Sequence, residues 1–294
     1  MNTVLAPRHL LLGLAVVAVW GSNFVVIKFG LQDLPPLLFA ALRFSLAAVP
    51  AVFLLRRPAV PWRNLAAYGV LIGAGQFGLL FMAMRADITP GLASLVIQIQ
   101  VFFTVGLAML LSGDRPQPFQ WLATAIAAAG IATIAWHSDG SATPLGLMMI
   151  GCAALSWAGG NLVGRAAGQV DMLAYMAWSS LFAVPPLALL SLLVEGWPRI
   201  AAGLAHAGWE TWAAVLWQSA GNTLFGYGAW AWLLSRYAAA SVTPLALLVP
   251  VFGMGASALW LAEPLQGWKL GAAALVMAGL AVNVLWPRWR ARQA

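Results

Sequence analysis

The chain has 294 residues, of which 62% are apolar and only 8% are charged. Soluble domains are usually about 25% charged, so this chain has too few charges to cover a water-exposed surface. An ordinary soluble enzyme is therefore excluded, and we expect a protein embedded in a lipid bilayer. The net charge of +7 is typical of basic loops on the cytoplasmic side of a membrane and does not indicate nucleic-acid binding.

Few residues could hold a metal or form a disulfide. Cys152 is the single cysteine, which excludes an internal disulfide and a cysteine-based metal site. The three histidines, His9, His137 and His206, are far apart and lack the spacing of metal ligands. The sequence therefore predicts neither a metal nor a cofactor.

Nine stretches contain no Asp, Glu, Lys, Arg or His, and each has at least 18 residues. They are residues 10–27, 64–84, 88–113, 116–136, 140–164, 172–194, 211–235, 237–262 and 270–287. A tenth stretch, residues 34–55, is equally apolar except for Arg43. A helix needs about 20 apolar residues to span a bilayer, whereas a barrel strand has about 10. We therefore predict an all-α integral membrane protein with ten transmembrane helices.

The first stretch follows Arg8 and resembles a signal peptide, but nine more spans follow it, which favours an uncleaved helix.

The loops between the spans carry charge unequally. Those at one end of the predicted bundle, with both chain termini, carry ten basic residues and two acids, whereas those at the other end carry three basic residues and six acids. Basic residues accumulate on the cytoplasmic side, so we predict a multi-pass protein of the plasma (inner) membrane with both termini cytoplasmic. Trp residues at span ends, such as Trp62, Trp136 and Trp209, are typical of an interfacial aromatic belt.

The two halves of the chain resemble each other. Trp20-Gly21-Ser22-Asn23 in the first span corresponds to Trp157-Ala158-Gly159-Gly160-Asn161 in the sixth. Gln100-Val101-Phe102 in the fourth span corresponds to Pro250-Val251-Phe252 in the ninth. We therefore divide the chain into a first five-helix repeat, residues 6–137, and a second, residues 141–288. Because five is odd, the second repeat must run inverted in the membrane, as is typical of secondary transporters.

Four short motifs follow one another in a specific order. They are Trp20-Gly21-Ser22-Asn23-Phe24 with Lys28, Phe39-Ala40-Ala41-Leu42-Arg43-Phe44, Ala93-Ser94-Leu95, and Pro250-Val251-Phe252 with Glu263. Along essentially the whole chain this order resembles the EamA-type ten-helix members of the drug/metabolite transporter superfamily, and especially its amino-acid exporters. The resemblance implies a basket-like fold with helices one, three, four, six, eight and nine around a central cavity. That family often has Pro where Gln100 stands, so we do not expect the two repeats to kink equally.

Amide side chains concentrate in the first, third, fourth, sixth and eighth spans. An amide in hydrocarbon costs several kcal/mol unless it is paired, so these groups face either the bundle interior or a water-filled cavity. Gln218 and Asn222 are four residues apart and share a helix face. The alternative is that the amides form hydrogen bonds between helices. With nearby aromatic residues they give the candidate substrate-binding residues, which are Trp20, Asn23, Gln76, Phe77, Gln98, Phe102, Trp157, Asn161, Trp217, Gln218, Asn222 and Tyr227.

Lys28 and Arg43 are the only charged residues well inside the spans. Such charges mark either function or a pairing partner, and these two could attract a carboxylate. We favour structural roles, in which Lys28 extends to the interface and Arg43 bonds helix-end carbonyls. Gly160, Gly164 and Gly168 permit close helix packing, which we assign to contacts within a monomer, with a homodimer as the alternative.

The sequence contains no catalytic constellation, phosphate-binding loop or ATP-binding domain. We predict a secondary transporter or facilitator that exports small neutral amino acids, with aromatic or large apolar side chains preferred because aromatic walls stack on them. No acid lies well inside a span, so no buried proton relay is expected, and Glu263 comes nearest to being an exception. The alternatives are a drug or nucleotide-type metabolite exporter, a passive channel, and an integral-membrane lipid-modifying enzyme.

Overall fold

The computed structural model describes residues 5–112, 117–137, 139–237 and 239–291. Among these residues the chain is helical, apart from loops and one isolated antiparallel bridge between Ile88 and Ala142. The helices are numbered in chain order. They are α1 (Pro7–Asp33), α2 (Pro36–Leu54), α3 (Trp62–Ala86), α4 (90–112), α5 (Pro118–Trp136), α6 (Pro144–Ala166), α7 (Met172–Glu195), α8 (Trp197–His206), α9 (209–236), α10 (239–261) and α11 (Gly267–Ala291).

Prolines mark where several helices begin. Pro7, Pro36, Pro90, Pro118 and Pro144 each stand in the first turn of their helix. At that position the missing N–H loses no hydrogen bond, and the fixed backbone angle suits a helix. The local sequence therefore helps to determine where these helices start.

Nine of the described helices are long and apolar enough to cross a bilayer. The long helix outside this set is α9, which coincides with the predicted span 211–235 but carries the amides Gln218 and Asn222 in its middle. The predicted all-α membrane fold is confirmed. The count of ten spans and the division into repeats 6–137 and 141–288 stay predictions.

Six helices surround the centre of the bundle: α1, α3, α4, α6, α9 and α10. Helix α1 packs along α10, α3 packs along α6, and α4 contacts both α6 and α10. Helices α2 and α7 form one pair beside this group, and α5 and α11 form another. With α9 and α10 as the predicted eighth and ninth spans, the central six are those that the family resemblance implies around a cavity.

Glycines bring α1, α4 and α10 into close contact. A Cβ at Gly21 would lie 2.5 Å from the Cβ of Phe252 and 2.6 Å from the backbone oxygen of Val249. A Cβ at Gly253 would collide with the side chain of Ser94 on α4. Only glycine therefore allows these three helices to approach so closely beside the centre of the bundle.

Two of the central helices contain long π-helical segments. These segments are Val70–Gly78 in α3 and Trp217–Phe225 in α9. Each lies in the third long helix of its half of the chain, so the two interruptions correspond. A π-helical turn is wider than an α-helical turn and is frequent at functional sites. These two segments carry three of the predicted substrate-binding amides, which are Gln76 in α3 and Gln218 and Asn222 in α9.

The next long helix of each half contains a 3₁₀-helical segment instead. This segment is Ile97–Ile99 in α4 and Thr243–Leu248 in α10. In α10 it is followed by Pro250, which has no N–H to donate to the helix. Helix α4 has Gln100 at the corresponding place, and its interruption is shorter. The two halves of the chain are thus interrupted at matching positions but to different extents.

Carboxylates hold together the end of the bundle that lies opposite the start of α1. We call this the capped end, and its four carboxylates are Asp33, Asp87, Glu195 and Glu263. Glu195 at the end of α7 accepts hydrogen bonds from the backbone N–H groups of Leu37 (2.6 Å) and Leu38 (3.1 Å) at the start of α2. A helix N-terminus has unpaired N–H groups and the positive end of the helix dipole, so a carboxylate is favourable there.

Glu263 holds the start of α4 in the same way. It accepts hydrogen bonds from the Thr89 hydroxyl (2.5 Å) and the Gly91 N–H (3.0 Å). Its side chain is only 8% exposed, and one oxygen lies 3.6 Å from Nζ of the buried Lys269. The carboxylate is therefore engaged by two donors and a cation, as a structural group would be.

Asp139, in the loop before α6, extends this cluster. Its Oδ2 lies 4.0 Å from Nζ of Lys269, and its Oδ1 accepts a hydrogen bond from the Ser141 N–H at 2.9 Å. Partial burial disfavours its ionised form, but the hydrogen bonds from Ser141 and the charge of Lys269 outweigh that and lower the pKa of Asp139. The carboxylate consequently keeps its charge to a lower pH than an ordinary aspartate does.

Candidate substrate cavity

A cavity lies among the six central helices. Its volume is about 150 Å³, many times the roughly 10–15 Å³ that one water molecule needs. Among the described residues that line it, Tyr227 has the one ionisable side chain. The lining residues are Trp20, Asn23, Phe24, Ile27, Gln76, Phe77, Leu80, Ile97, Gln98, Gln100, Trp157, Asn222, Tyr227, Ala246 and Val249. The cavity is thus apolar and aromatic, with several neutral amides.

The structure brings eight of the twelve predicted substrate-binding residues together here. They are Trp20, Asn23, Gln76, Phe77, Gln98, Trp157, Asn222 and Tyr227. Sequence reasoning did not select the remaining lining residues. Helical spacing could have found two of them, because Ile27 and Leu80 each stand four residues after a selected amide. Gln100 carried a signal of its own as a second amide two residues after Gln98.

None of the other four predicted residues lines the cavity. Trp217 is 40% exposed and lies in an outer groove with Trp209 and Phe29. It is adjacent to Gln218 in the chain, and neighbouring helical residues do not share a face. Phe102 is half-buried on α4, two residues after the last lining residue of that helix, Gln100.

Asn161, the third of those four, contacts the cavity indirectly. Its Nδ2 donates hydrogen bonds to Oε1 of Gln100 at 3.0 Å and to Oγ1 of Thr104 at 3.1 Å. Gln100 lines the cavity, so Asn161 orients a lining amide and joins α6 to α4. The sequence left open whether the amides line a cavity or form hydrogen bonds between helices. Asn161 does the second, whereas Asn23, Gln76 and Gln98 line the cavity.

Aromatic rings form two walls of the cavity. The Trp20 ring centroid lies 5.5 Å from that of Tyr227 and 5.1 Å from that of Trp230. On α3, the Phe77 ring lies 5.7 Å from the ring of Phe44 in an edge-on arrangement. Such offset and edge-on pairs are favourable geometries, so the aromatic walls are held in place by rings behind them.

The π-helical segments supply polar groups to the cavity. Gln76 lies in the segment of α3, is 3% exposed, and its Oε1 has no hydrogen-bond partner among the described residues. Asn222 lies in the segment of α9, and its backbone oxygen accepts a hydrogen bond from Nε1 of Trp20 at 3.3 Å. A buried acceptor without a donor costs free energy, so Gln76 is prepared for a donor from a ligand or water.

Gln218, the last predicted residue, lies behind the lining in a buried hydrogen-bond network. Its Nε2 donates to Oδ1 of Asn23 at 2.8 Å, and its Oε1 accepts from Nη1 of Arg43 at 2.9 Å. Arg43 is 1% exposed, and its Nη2 donates to Oγ1 of Thr223 at 2.8 Å. Its guanidinium carbon lies 4.0 Å from the centroid of the Phe77 ring, a cation–π contact.

The contacts of the two intramembrane cations differ from the expected ones. Lys28 is the residue that bonds helix-end carbonyls, since its Nζ donates to the backbone oxygens of Met84 (3.3 Å) and Arg85 (3.4 Å) at the end of α3. Arg43 bonds the side chains of Gln218 and Thr223 instead. The expectation that Arg43 bonds carbonyls was therefore wrong, because the polar middle of α9 lies within its reach.

Comparison with known proteins places the chain in a family. The sequence model of the EamA-like transporter family matches residues 8–136 and again residues 144–285. Two proteins that are named probable amino-acid metabolite efflux pumps are similar along nearly their whole length. The one from Salmonella typhimurium (strain LT2) is 42% identical over 279 residues, 93% of each chain. The one from Escherichia coli (strain K12) is 40% identical over 285 residues, 95% of each chain.

A crystal structure with 21% sequence identity has a TM-score of 0.62 and covers 95% of this chain and 98% of the other. That likeness concerns the fold alone. The family match extends over both halves of the chain, and it removes the alternative of a lipid-modifying enzyme. The chain therefore belongs to the EamA-like transporter family, and it is a multi-pass membrane transporter.

Proposed function

We propose that this transporter exports neutral amino acids, with aromatic or large apolar side chains preferred, through the cavity at the centre of the bundle. The observation that carries the proposal is the composition of the lining, where neutral amides and aromatic rings occur together and no described residue brings a carboxylate, a guanidinium or an ammonium group. Export as the direction is supported by the two relatives named as efflux pumps.

The amides account for the preference for a zwitterion. Amide groups both donate and accept hydrogen bonds, so they can bind a carboxylate and an ammonium group without favouring a net charge. A lysine or glutamate side chain would bring an extra charge that nothing in the described lining pairs, and an unpaired charge in a low-dielectric site is costly. Neutral amino acids are therefore favoured over charged ones.

The aromatic rings account for the preferred side chain. Trp20 and Tyr227 form one wall, and Phe77 and Trp157 contribute further ring surface. An aromatic ring stacked on such a wall gains about 0.5–1.5 kcal/mol beyond the burial of its area. Phenylalanine and tryptophan thus gain more than threonine does from the same cavity.

Alternating access is the mechanism that the helices support. The corresponding interruptions, π-helical in α3 and α9 and 3₁₀-helical in α4 and α10, place flexible backbone beside the cavity in both halves of the chain. Contacts join segments at both ends of the bundle, with the carboxylates at the capped end and a 2.6 Å hydrogen bond between His9 and Tyr237 at the other. Breaking one set of contacts while keeping the other would expose the cavity to one side at a time.

Transport by the purified protein in liposomes tests this function. We expect labelled phenylalanine to be taken up and to be displaced by tryptophan and leucine, but far less by lysine or glutamate. Trp157→Ala should reduce phenylalanine transport by roughly tenfold and threonine transport much less, because it removes ring surface from the cavity. The matched control is Trp136→Ala, since Trp136 is 88% exposed at the end of α5.

Two results would contradict the proposal. Transport of lysine or glutamate as fast as that of phenylalanine would exclude a cavity selective for neutral amino acids. Efficient displacement by nucleotides or by cationic drugs, without displacement by amino acids, would favour the alternative metabolite or drug exporter of the same superfamily.

We further propose an inner-membrane location with both termini cytoplasmic, which puts the capped end outside. In a Cys152→Ser background, which removes the exposed native thiol, a Cys added after Gln293 should resist an impermeant thiol reagent in intact cells. A Cys in place of Ser138 should react. Both positions lie outside the described residues, and the opposite labelling pattern would invert the topology.

A further inference from the structure

The buried Arg43 has no acidic partner among the described residues, whose ion pairs all involve Lys269. Its charge is instead met by the oxygens of Gln218 and Thr223 and by the ring of Phe77. A guanidinium group can donate hydrogen bonds but cannot accept them. Every polar group that hydrogen-bonds to Arg43 must therefore present an acceptor atom. This requirement fixes which atom of Gln218 faces Arg43, and so which atom of Gln218 faces Asn23.

The direction passes from Arg43 through Gln218 to the cavity. The Gln218 atom that faces Arg43 has to be the amide oxygen, so the Gln218 amide nitrogen faces Asn23 at 2.8 Å. That nitrogen needs an acceptor, which only Oδ1 of Asn23 can supply. Reversing either amide would set two donors or two acceptors against each other, so the chain of bonds has one allowed direction.

Asn23, the last side chain in this series of hydrogen bonds, lines the cavity. With Oδ1 of Asn23 held by Gln218, its Nδ2 is the group left over, and it donates to no group in the described part of the chain. Gln76 contributes the opposite polarity, since its buried Oε1 has no donor. The lining thus offers a donor on α1 and, once the buried Gln76 oxygen is uncovered by a turn of its amide, an acceptor on α3.

We infer that Arg43 is a specificity-determining residue that acts through Gln218 and keeps Asn23 as a hydrogen-bond donor to the substrate carboxylate, while Oε1 of Gln76 accepts from the substrate ammonium. This inference rests on the proposed function, because it assigns the two ends of a zwitterionic substrate to two residues. Arg43 does not touch the substrate and acts as a positioning residue. Its positive charge also favours the carboxylate over a neutral amide at the same place.

The experiment compares substrates that differ only at the carboxylate. In liposomes, phenylalanine and phenylalaninamide compete with labelled phenylalanine, and the ratio of their inhibitory concentrations measures the preference for a carboxylate. In detergent, the rise in Tm caused by each compound measures binding without transport. If Arg43 had only a structural role, its variants would lower inhibition and the rise in Tm equally for both compounds, and the ratio of inhibitory concentrations would stay unchanged.

Four variants separate the outcomes. In Gln218→Glu the new side chain can only accept, so Asn23 must turn its nitrogen away from the cavity, and we expect the carboxylate preference to fall by at least roughly tenfold. Arg43→Met should lower it as well. Arg43→Lys keeps a charged donor, and Thr223→Val removes a contact of the same guanidinium without reversing any amide, so both should keep the preference.

Three results would overturn the inference. The first is an unchanged ratio in Gln218→Glu, a variant that retains a partner for the buried cation and so tests the idea even where Arg43→Met does not fold. The second is an equal loss in Thr223→Val, which would indicate general loosening of the network. The third is a wild-type protein that neither transports phenylalanine nor gains Tm from it, which would overturn the proposed function and this assignment with it.

Discussion

The capped end and the central cavity use polar groups in opposite ways. At the capped end, the carboxylates of Glu195 and Glu263 are engaged by backbone N–H groups, hydroxyls and a lysine. In the cavity, Nδ2 of Asn23 and Oε1 of Gln76 have no such partners in the described chain. Saturated charges hold helices to one another, whereas the unsaturated amides are the groups to which we assign the proposed substrate.

The largest effect should come from placing a charge where the cavity has none. Asn23→Asp keeps an acceptor for Gln218 but replaces the donor facing the cavity by a carboxylate oxygen. Repulsion between two carboxylates about 6 Å apart at an effective dielectric constant near 20 is worth roughly a hundredfold. We expect phenylalanine transport in liposomes to fall by about that factor.

The control for this variant is Asn23→Ala, which removes the donor without adding charge and should cost about tenfold. Phenylalaninamide, which lacks the carboxylate, should be affected less by Asn23→Asp than phenylalanine is. Equal losses for both compounds would show that Asn23 does not face the substrate carboxylate.

Removing a cap should affect stability and leave selectivity alone. Glu195→Ala leaves the N–H groups of Leu37 and Leu38 at the start of α2 without their acceptor. A lost hydrogen bond to a charged group costs about 1.5–3 kcal/mol, so Tm in detergent should fall by several degrees. The preference for phenylalanine over threonine should stay as in the wild type.

Glu210→Ala is the matched control for this cap, because Glu210 is an exposed acid in the first turn of α9. It should cost at most about 1 kcal/mol through the helix dipole. A Glu195→Ala protein that keeps its Tm but changes its substrate preference would contradict the assignment of stability to the capped end and of selectivity to the cavity.

The smallest effect is expected from neutralising Glu263. Its carboxylate is occupied by Thr89, Gly91 and Lys269, and a proton relay would need a carboxylate free to exchange protons. Glu263→Gln keeps an acceptor for the start of α4, so transport should continue to follow the substrate gradient. Liposomes with and without an imposed pH gradient measure this. Uphill accumulation driven by the pH gradient alone, and abolished by Glu263→Gln, would make the capped end part of the transport chemistry.

The helices and most of the cavity could be predicted from the sequence because their signals are local. Long apolar stretches gave the helices, and amides in apolar surroundings gave Asn23, Gln76 and Gln98. In helix α9 the two signals oppose each other, because Gln218 and Asn222, which made it a candidate for the site, also lower its hydropathy. The motif resemblance added which six helices meet at the centre.

The partners of the charged groups could not be predicted, because they depend on how distant segments pack. Arg43 and Gln218 are separated by 175 positions in the chain, and Glu195 bonds Leu37 across 158 positions. No periodicity links such residues. The outward position of Trp217 is different, since its adjacency to the buried Gln218 was a local signal that placed the two on different faces.

The contact of α1 and α4 with α10 at Gly21 and Gly253 has a mechanical consequence. Helices usually interlock through ridges of side chains that fit into grooves, and such ridges resist rotation. At Gly21 and Gly253 the backbone lies directly against Phe252 and Ser94, with no side chain of the glycine between them, so we expect little steric resistance when α10 moves against α1 and α4. In the proposed alternating access, we expect the two halves of the chain to pivot at this contact. A methyl group at either glycine would collide with the facing helix, and we expect it to lower the rate of the transport cycle more than the affinity for substrate.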